Sequence, residues 1–149
     1  MPQSLAKVLL HVVFSTKNRQ PLIYGDFEQG LYAYISGIVA NQGCKLVLAG
    51  GTEDHIHLLI SLGKQIFLST LIGHVKRESS LWVKANGGPH DFYWQEGYGV
   101  FSIGQSQVAP MMKYIATQKQ HHAKQDFQDE FRSFLRRYEI DYDERYVWD

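Results

Sequence analysis

His55-Ile56-His57-Leu58-Leu59-Ile60-Ser61-Leu62 decides how this chain is read. Side chains alternate along a strand, so Ile56, Leu58, Ile60 and Leu62 line one wholly apolar face while His55 and His57 project together from the other. Just upstream, residues 44–49 form a second apolar strand, and Gly50-Gly51-Thr52-Glu53-Asp54 between them is the short glycine-containing connection of an antiparallel hairpin. Further out, residues 7–15 are rich in Val, Leu and Phe, as strands are, and stop at the polar turn Thr16 to Pro21. Phe27, Leu31, Tyr34, Ile35 and Ile38 recur at helical spacing and predict a helix over 27–42, with Asp26 as N-cap and Gly43 as stop. Leu68, Leu71, Ile72, Val75 and Trp82 predict a second helix over 67–84, ended by Asn86-Gly87-Gly88-Pro89. The aromatic, glycine-punctuated residues 91–103 read as a fourth strand, bulged at Gly97 or Gly99. The order β-α-β-β-α-β defines an α+β, ferredoxin-like sandwich with an antiparallel sheet and helices on one face. C-terminal helices follow from about residue 105: one capped by Ser106 and running to 124, one opened by Asp126 and running to 137.

Two imidazoles at i and i+2 on one strand face can share a cation, and such a set needs a third protein ligand. By spacing alone the pair reads equally well as a surface histidine beside a hydrogen-bonded core one. The third helix offers candidates: Tyr114, Gln118, His121 and His122, at i, i+4, i+7 and i+8, share one polar stripe beside an apolar stripe of Val108, Met112 and Ile115. Periodicity leaves Tyr114 as either a nucleophile or an ordinary amphipathic-helix tyrosine, and nothing in it links this helix to the histidine strand.

Composition bounds the rest. With 149 residues, 44% hydrophobic, the chain suffices for one domain over 1–149 and excludes disordered and fibrous classes. The lone Cys44 closes no intrachain disulfide and supplies no multi-cysteine zinc site, so a reducing cytoplasm is expected. No apolar run reaches the roughly 18 residues of a membrane helix. Net charge is zero, but residues 139–149 hold five acidic residues against Arg145 alone, which leaves 14 basic and 10 acidic residues in 1–138. A mildly basic body permits a nucleic-acid partner. Lys17, Arg19, Lys76, Arg77 and Lys84 are candidate phosphate contacts, and Tyr93, Trp94 and Tyr98 candidate stacking platforms; the competing reading is solvated charge and core aromatics.

Four blocks together carry a resemblance: His11-Val12-Val13-Phe14-Ser15-Thr16-Lys17, Asp54-His55-Ile56-His57-Leu58-Leu59, Trp94-Gln95-Glu96-Gly97-Tyr98-Gly99-Val100-Phe101-Ser102, and Tyr114 to His122. In this order and length the chain resembles the single-tyrosine HUH transposases of insertion sequences and of relatives associated with repeated extragenic palindromes. The resemblance implies that His55 and His57 bind Mg²⁺ or Mn²⁺, that Gln118 completes the ligands, and that Tyr114 is the nucleophile. It implies transfer of a 5′ phosphate of single-stranded, hairpin-bearing DNA to tyrosine, a free 3′ hydroxyl, and a homodimer with the active site assembled in cis or in trans. His121 and His122 are candidates for moving the tyrosine proton.

Three alternatives stand beside this. A domesticated relative would bind or nick palindromic repeats without moving them. A histidine-based nucleotide phosphohydrolase would want a third histidine where Leu59 stands. A ferredoxin-like RNA-binding module would want aromatic residues on its central strands, and residues 55–62 have none.

Overall fold

In the computed structural model, which describes residues 2–149, four strands form one antiparallel sheet in the order β2-β3-β1-β4. They are β1 (Val8–Ser15), β2 (Lys45–Gly51), β3 (His55–Leu62) and β4 (Gly99–Ile103). Helix α1 (Phe27–Asn41) joins β1 to β2, and α2 (Leu68–Ala85) joins β3 to β4. The ferredoxin-like order is therefore the observed one. Helices α3 (Val108–Ala116), α4 (Gln118–His121) and α5 (Phe127–Arg137) complete the chain.

The strand alternation sorts residues onto two faces. Leu10, Val12, Phe14, Ile56, Leu58 and Ile60 pack against Leu31, Ile35, Leu71, Ile72 and Val75 of α1 and α2. Each such fully buried aliphatic side chain contributes about 1.5–3 kcal/mol. The opposite face is covered by the C-terminal helices: Ile115 of α3 joins Leu9, Leu59 and Ile103, while Phe127, Phe131, Phe134 and Leu135 of α5 cover Val13 and Phe101. Both faces are thus closed.

Two glycines permit this second layer. A Cβ on Gly50 of β2 would stand 2.4 Å from the Ile115 carbonyl oxygen, and one on Gly99 of β4 would stand 2.6 Å from the Phe131 ring. Helix α3 therefore docks backbone to backbone on β2, and α5 lies directly on β4.

Several expectations need correction. Residues 91–98 are not strand; Trp94 makes only an isolated bridge to Thr16. Their aromatic pattern reflects core burial, since Phe92 and Trp94 turn inward and stack edge-on, Trp94 also meeting Phe14. The bulge lies in β2, between Leu46 and Leu48, rather than at Gly97 or Gly99. Asp26 is helical and makes no side-chain cap, and Ser106 sits inside a 3-10 turn (Gln105–Gln107). Gln107 Oε1 accepts from the Gly104 amide there. Asp126 does cap α5, accepting from the Asp129 amide at 2.8 Å. The expected continuous helix over 106–124 breaks at Thr117, whose ψ of 24° leaves the helical range while its hydroxyl donates to the Lys113 carbonyl.

The acidic tail folds back on its own domain. Glu144 accepts from Arg132 and from Trp148, and the Gly97 amide donates to the Asp149 carbonyl at 2.9 Å. No described helix is long and apolar enough to cross a membrane.

Candidate active site

His55 and His57 are fully buried on the face of β3 that α3, α4 and α5 cover. His55 is fixed from behind: its Nδ1–H donates to Asp54 Oδ1 at 2.8 Å, with the Thr52 hydroxyl 2.9 Å from the same nitrogen. Burial raises the Asp54 carboxyl pKa, but His55, Thr52 and Arg19 outweigh it and hold the group below its ordinary value. In the neutral imidazole, His55 Nε2 then presents a lone pair to the interior. There it meets Gln118 Oε1 at 3.3 Å and Glu130 Oε1 at 3.6 Å. Three electron-pair donors facing one another is an arrangement that a cation resolves.

His57 is held on both sides. Its Nε2–H donates to Glu130 Oε1 at 2.9 Å, and its Nδ1 accepts from His11 Nε2 of β1 at 2.7 Å. Burial lowers the His57 pKa to about 4, against an opposing pull from Glu130, and burial first, then His57, holds His11 well below its ordinary value. Both rings are therefore neutral at pH 7. In that tautomer His11 Nδ1 is a buried lone pair without a partner.

Tyr114 comes to the same place from α3. Its hydroxyl donates to Glu130 Oε2, its ring lies edge-on to His57 at 5.7 Å, and His121 stacks on it at 4.8 Å. Burial and the adjacent Glu130 both push the phenol pKa up, so the resting side chain is protonated. The break at Thr117 turns Gln118 inward until it is 1% exposed, and its amide nitrogen donates to the Tyr114 carbonyl. His122 Nε2 approaches Glu130 Oε2 at 3.2 Å without hydrogen-bond geometry, a charge contact. Burial opposes protonation of His122, but Glu130 wins and raises its pKa.

Glu130 is the residue that sequence reading missed. Burial favours its neutral form, but contacts with His122, His57 and Tyr114 hold its pKa far below the carboxylate range, so it is ionised. A signal existed: Glu130 interrupts the apolar stripe Phe127, Phe131, Phe134 of α5 at helical spacing. His11 was missed too, quoted only as part of a motif. His55, His57, His122 and Glu130 offer ligand atoms all within 4.8 Å of one another, a set able to hold a metal ion. A cleft of about 370 Å³ between α3 and α5, lined by Tyr114, Glu130, Gln125 and Arg137, opens the site to solvent.

The proposed DNA contacts are scattered. Lys76 is committed to the carbonyls of Gln95 at 2.7 Å and Gly97 at 2.5 Å and packs over Phe14, and burial lowers its pKa to about 8. Arg19 lies 3.6 Å from Asp54 behind His55. Trp94 is core and donates to Ser79 Oγ. Lys17, Arg77, Tyr93 and Tyr98 are exposed, with Lys84 over the Tyr93 ring at 3.8 Å.

A closed ferredoxin-like sheet, a metal-capable histidine and carboxylate cluster, and a phenol on a covering helix define a class of metal-capable tyrosine site. The particular family follows from comparison: residues 4–118 match the profile described as "Transposase IS200 like", and the chain belongs to that family. It is similar to the transposase for insertion sequence element IS200 of Salmonella typhimurium, 26% identical over 114 residues, covering 72% of this chain and 74% of that protein. It is also similar to the ISDra2 transposase TnpA of Deinococcus radiodurans, 25% identical over 117 residues, with 72% and 81% covered. Among solved structures, a putative transposase from Deinococcus radiodurans aligns with a TM-score of 0.59 at 21% identity, covering 79% of this chain and 98% of that one. A REP-associated tyrosine transposase bound to a REP hairpin aligns with a TM-score of 0.58 at 15% identity, covering 78% and 70%. These two likenesses concern the fold.

The competing readings lose their support. Leu59 shares the histidine face but packs with Leu9, Ile103 and Ile115, so no third histidine exists there. An RNA-binding sheet needs an open face, and neither face is open.

Proposed function

We propose that this chain is a DNA transposase that cleaves and rejoins single-stranded DNA through a covalent 5′-phosphotyrosine on Tyr114. The observation that carries the reading is the meeting of Tyr114 and Gln118 with His55 and His57 inside one chain, residues far apart in sequence. His55, His57 and Gln118 would hold a divalent cation. A bound cation supplies Lewis-acid stabilisation of the charge that develops on the phosphate oxygens. Imidazole donors beside oxygen donors favour Mn²⁺ over Mg²⁺ of the two expected ions.

The chain's own residues do the rest. Tyr114 Oη attacks phosphorus, the P–O3′ bond breaks, and the 3′ oxygen leaves as a hydroxyl after taking a proton from water. In the resting chain Glu130 Oε2 accepts the phenol hydrogen bond, and once that bond opens His121, stacked on the ring, and His122 are the groups that take up the phenol proton. His121 and His122 flank the pair and connect it to solvent. Because one phosphodiester is exchanged for another, the reverse attack by a 3′ hydroxyl rejoins DNA with no nucleotide cofactor. Lys17, Arg77 and Tyr98 are the exposed groups assigned to the DNA strand and its hairpin. We read residues 1–149 as one domain that acts in the cytoplasm. A homodimer then contains two complete cis sites rather than two exchanged ones.

The test is incubation of the full chain with hairpin-bearing single-stranded DNA and Mn²⁺, followed by denaturing electrophoresis. A covalent adduct is expected from the wild type and none from Tyr114→Phe or with chelator. Adduct persisting in Tyr114→Phe overturns the assignment. A domesticated relative would give adduct on palindromic repeats without strand joining.

A further inference from the structure

Glu130 is a buried carboxylate, 2% exposed, with an unusual set of neighbours. Its Oε1 lies 2.9 Å from His57 Nε2 and 3.6 Å from His55 Nε2, and its Oε2 meets the Tyr114 hydroxyl and His122. Among the described residues its ion-pair partners are histidines alone, with no lysine or arginine. A carboxylate removed from water without a permanent counter-charge costs several kcal/mol, and a cation beside it offsets that cost. The separations also suit shared ligation: neighbouring ligands on an octahedral cation with bonds of about 2.1 Å stand about 3 Å apart.

We propose that Glu130 is a ligand of the divalent cation held by His55 and His57, and that in the cation-free chain the same carboxylate instead holds the Tyr114 hydroxyl. The inference rests on the metal-dependent reading given above. It adds a charged ligand that the matched family region does not contain, because that match ends at Gln118 and Glu130 stands on α5 beyond it. Its consequence is a linkage: the Tyr114 hydrogen bond and the cation draw on one carboxylate, so loading the site weakens the hold on the nucleophile. The phenol keeps its proton when that hydrogen bond opens and is then free to turn into the cleft lined by Gln125 and Arg137. Metal arrival and release of the tyrosine become a single event, which keeps the nucleophile docked until the site can act.

Mn²⁺ titration of the full chain without DNA, read by loss of the free-ion electron paramagnetic resonance signal, tests this apart from any reaction. Glu130→Gln is expected to weaken Mn²⁺ binding at least about tenfold, the scale on which lost metal-site contacts act. Tyr114→Phe is expected to tighten it several-fold, because the competitor for the carboxylate is gone. Wild-type affinity in a folded Glu130→Gln chain overturns the ligand assignment, and unchanged affinity in Tyr114→Phe overturns the exchange. Where Glu130→Gln does not fold by circular dichroism, the Tyr114→Phe titration decides alone. Mn²⁺ bound through Glu130 with no DNA adduct in the wild type defeats the reaction reading and leaves this one standing. Adduct formation with Mn²⁺ affinity indifferent to Glu130 does the reverse.

Discussion

The two faces of the sheet are made by neighbouring residues on the same strands, yet they are built on different rules. Toward α1 and α2, Leu10, Val12, Phe14, Ile56, Leu58 and Ile60 are buried among apolar partners and ask only for shape. Toward α3, α4 and α5, His11, His55 and His57 are just as buried, and each polar atom needs a partner supplied from another element. The first face holds the fold; the second spends burial on orientation. Dense packing fixes three imidazoles, a phenol and a carboxylate, and low dielectric strengthens every contact among them.

Adjacent residues on opposite faces give the sharpest way to break this contrast. On the proposed reading His57→Ala removes a cation ligand and with it several kcal/mol of charge stabilisation, so adduct formation should fall about 10³-fold. Leu58→Ala instead should lower unfolding free energy by about 2–5 kcal/mol while the folded fraction still forms adduct. Equal loss of adduct at fixed folded fraction in both variants, by electrophoresis and urea melts, would erase the distinction.

Acid should distinguish the faces next. His57, with its folded pKa lowered to about 4, binds a proton more readily once unfolded, so stability is lost as pH falls from about 6.5 toward 4. His11 acts in the same direction. His122, whose pKa is raised, works in the opposite sense, its contribution fading as pH rises. Urea denaturation with chelator at pH 7 and pH 4.5 should differ by on the order of 2–3 kcal/mol. The difference should shrink in His57→Leu and persist in Leu58→Ala.

The smallest effect concerns His11, which contacts His57 at 2.7 Å and on the proposed reading positions it. With His57 Nε2 on the cation its proton sits on Nδ1, so His11→Leu removes the acceptor that fixes that tautomer and should weaken Mn²⁺ binding about tenfold, as lost orienting contacts do. A packing role alone would alter the melting temperature and leave the Mn²⁺ titration unchanged.

Part of the site was legible because β3 is strictly alternating, so the parity of His55 and His57 follows from backbone geometry. The step from Tyr114 to Gln118 reads as one helical turn, whereas α3 ends at Ala116 and the break at Thr117 is what places Gln118. Gly50 and Gly99 read as a hairpin turn and a bulge, whereas their use is to let α3 and α5 touch the sheet. That is a property of the approaching helix and leaves no local mark. Residues 91–98 misled for the reverse reason, since aromatic content signals burial whether or not a strand provides it.

By itself, the order of residues determined the ferredoxin-like scaffold, the shared face of the histidine pair and the stripe that bears the phenol. Each depends on periods of two or 3.6 residues that a chain carries locally. Only the tertiary structure decided that the stripe rests on that face within one chain, and that Glu130 and His11 complete the cluster. Those meetings join β1, β3, α3 and α5, which packing brings together and no short-range spacing encodes.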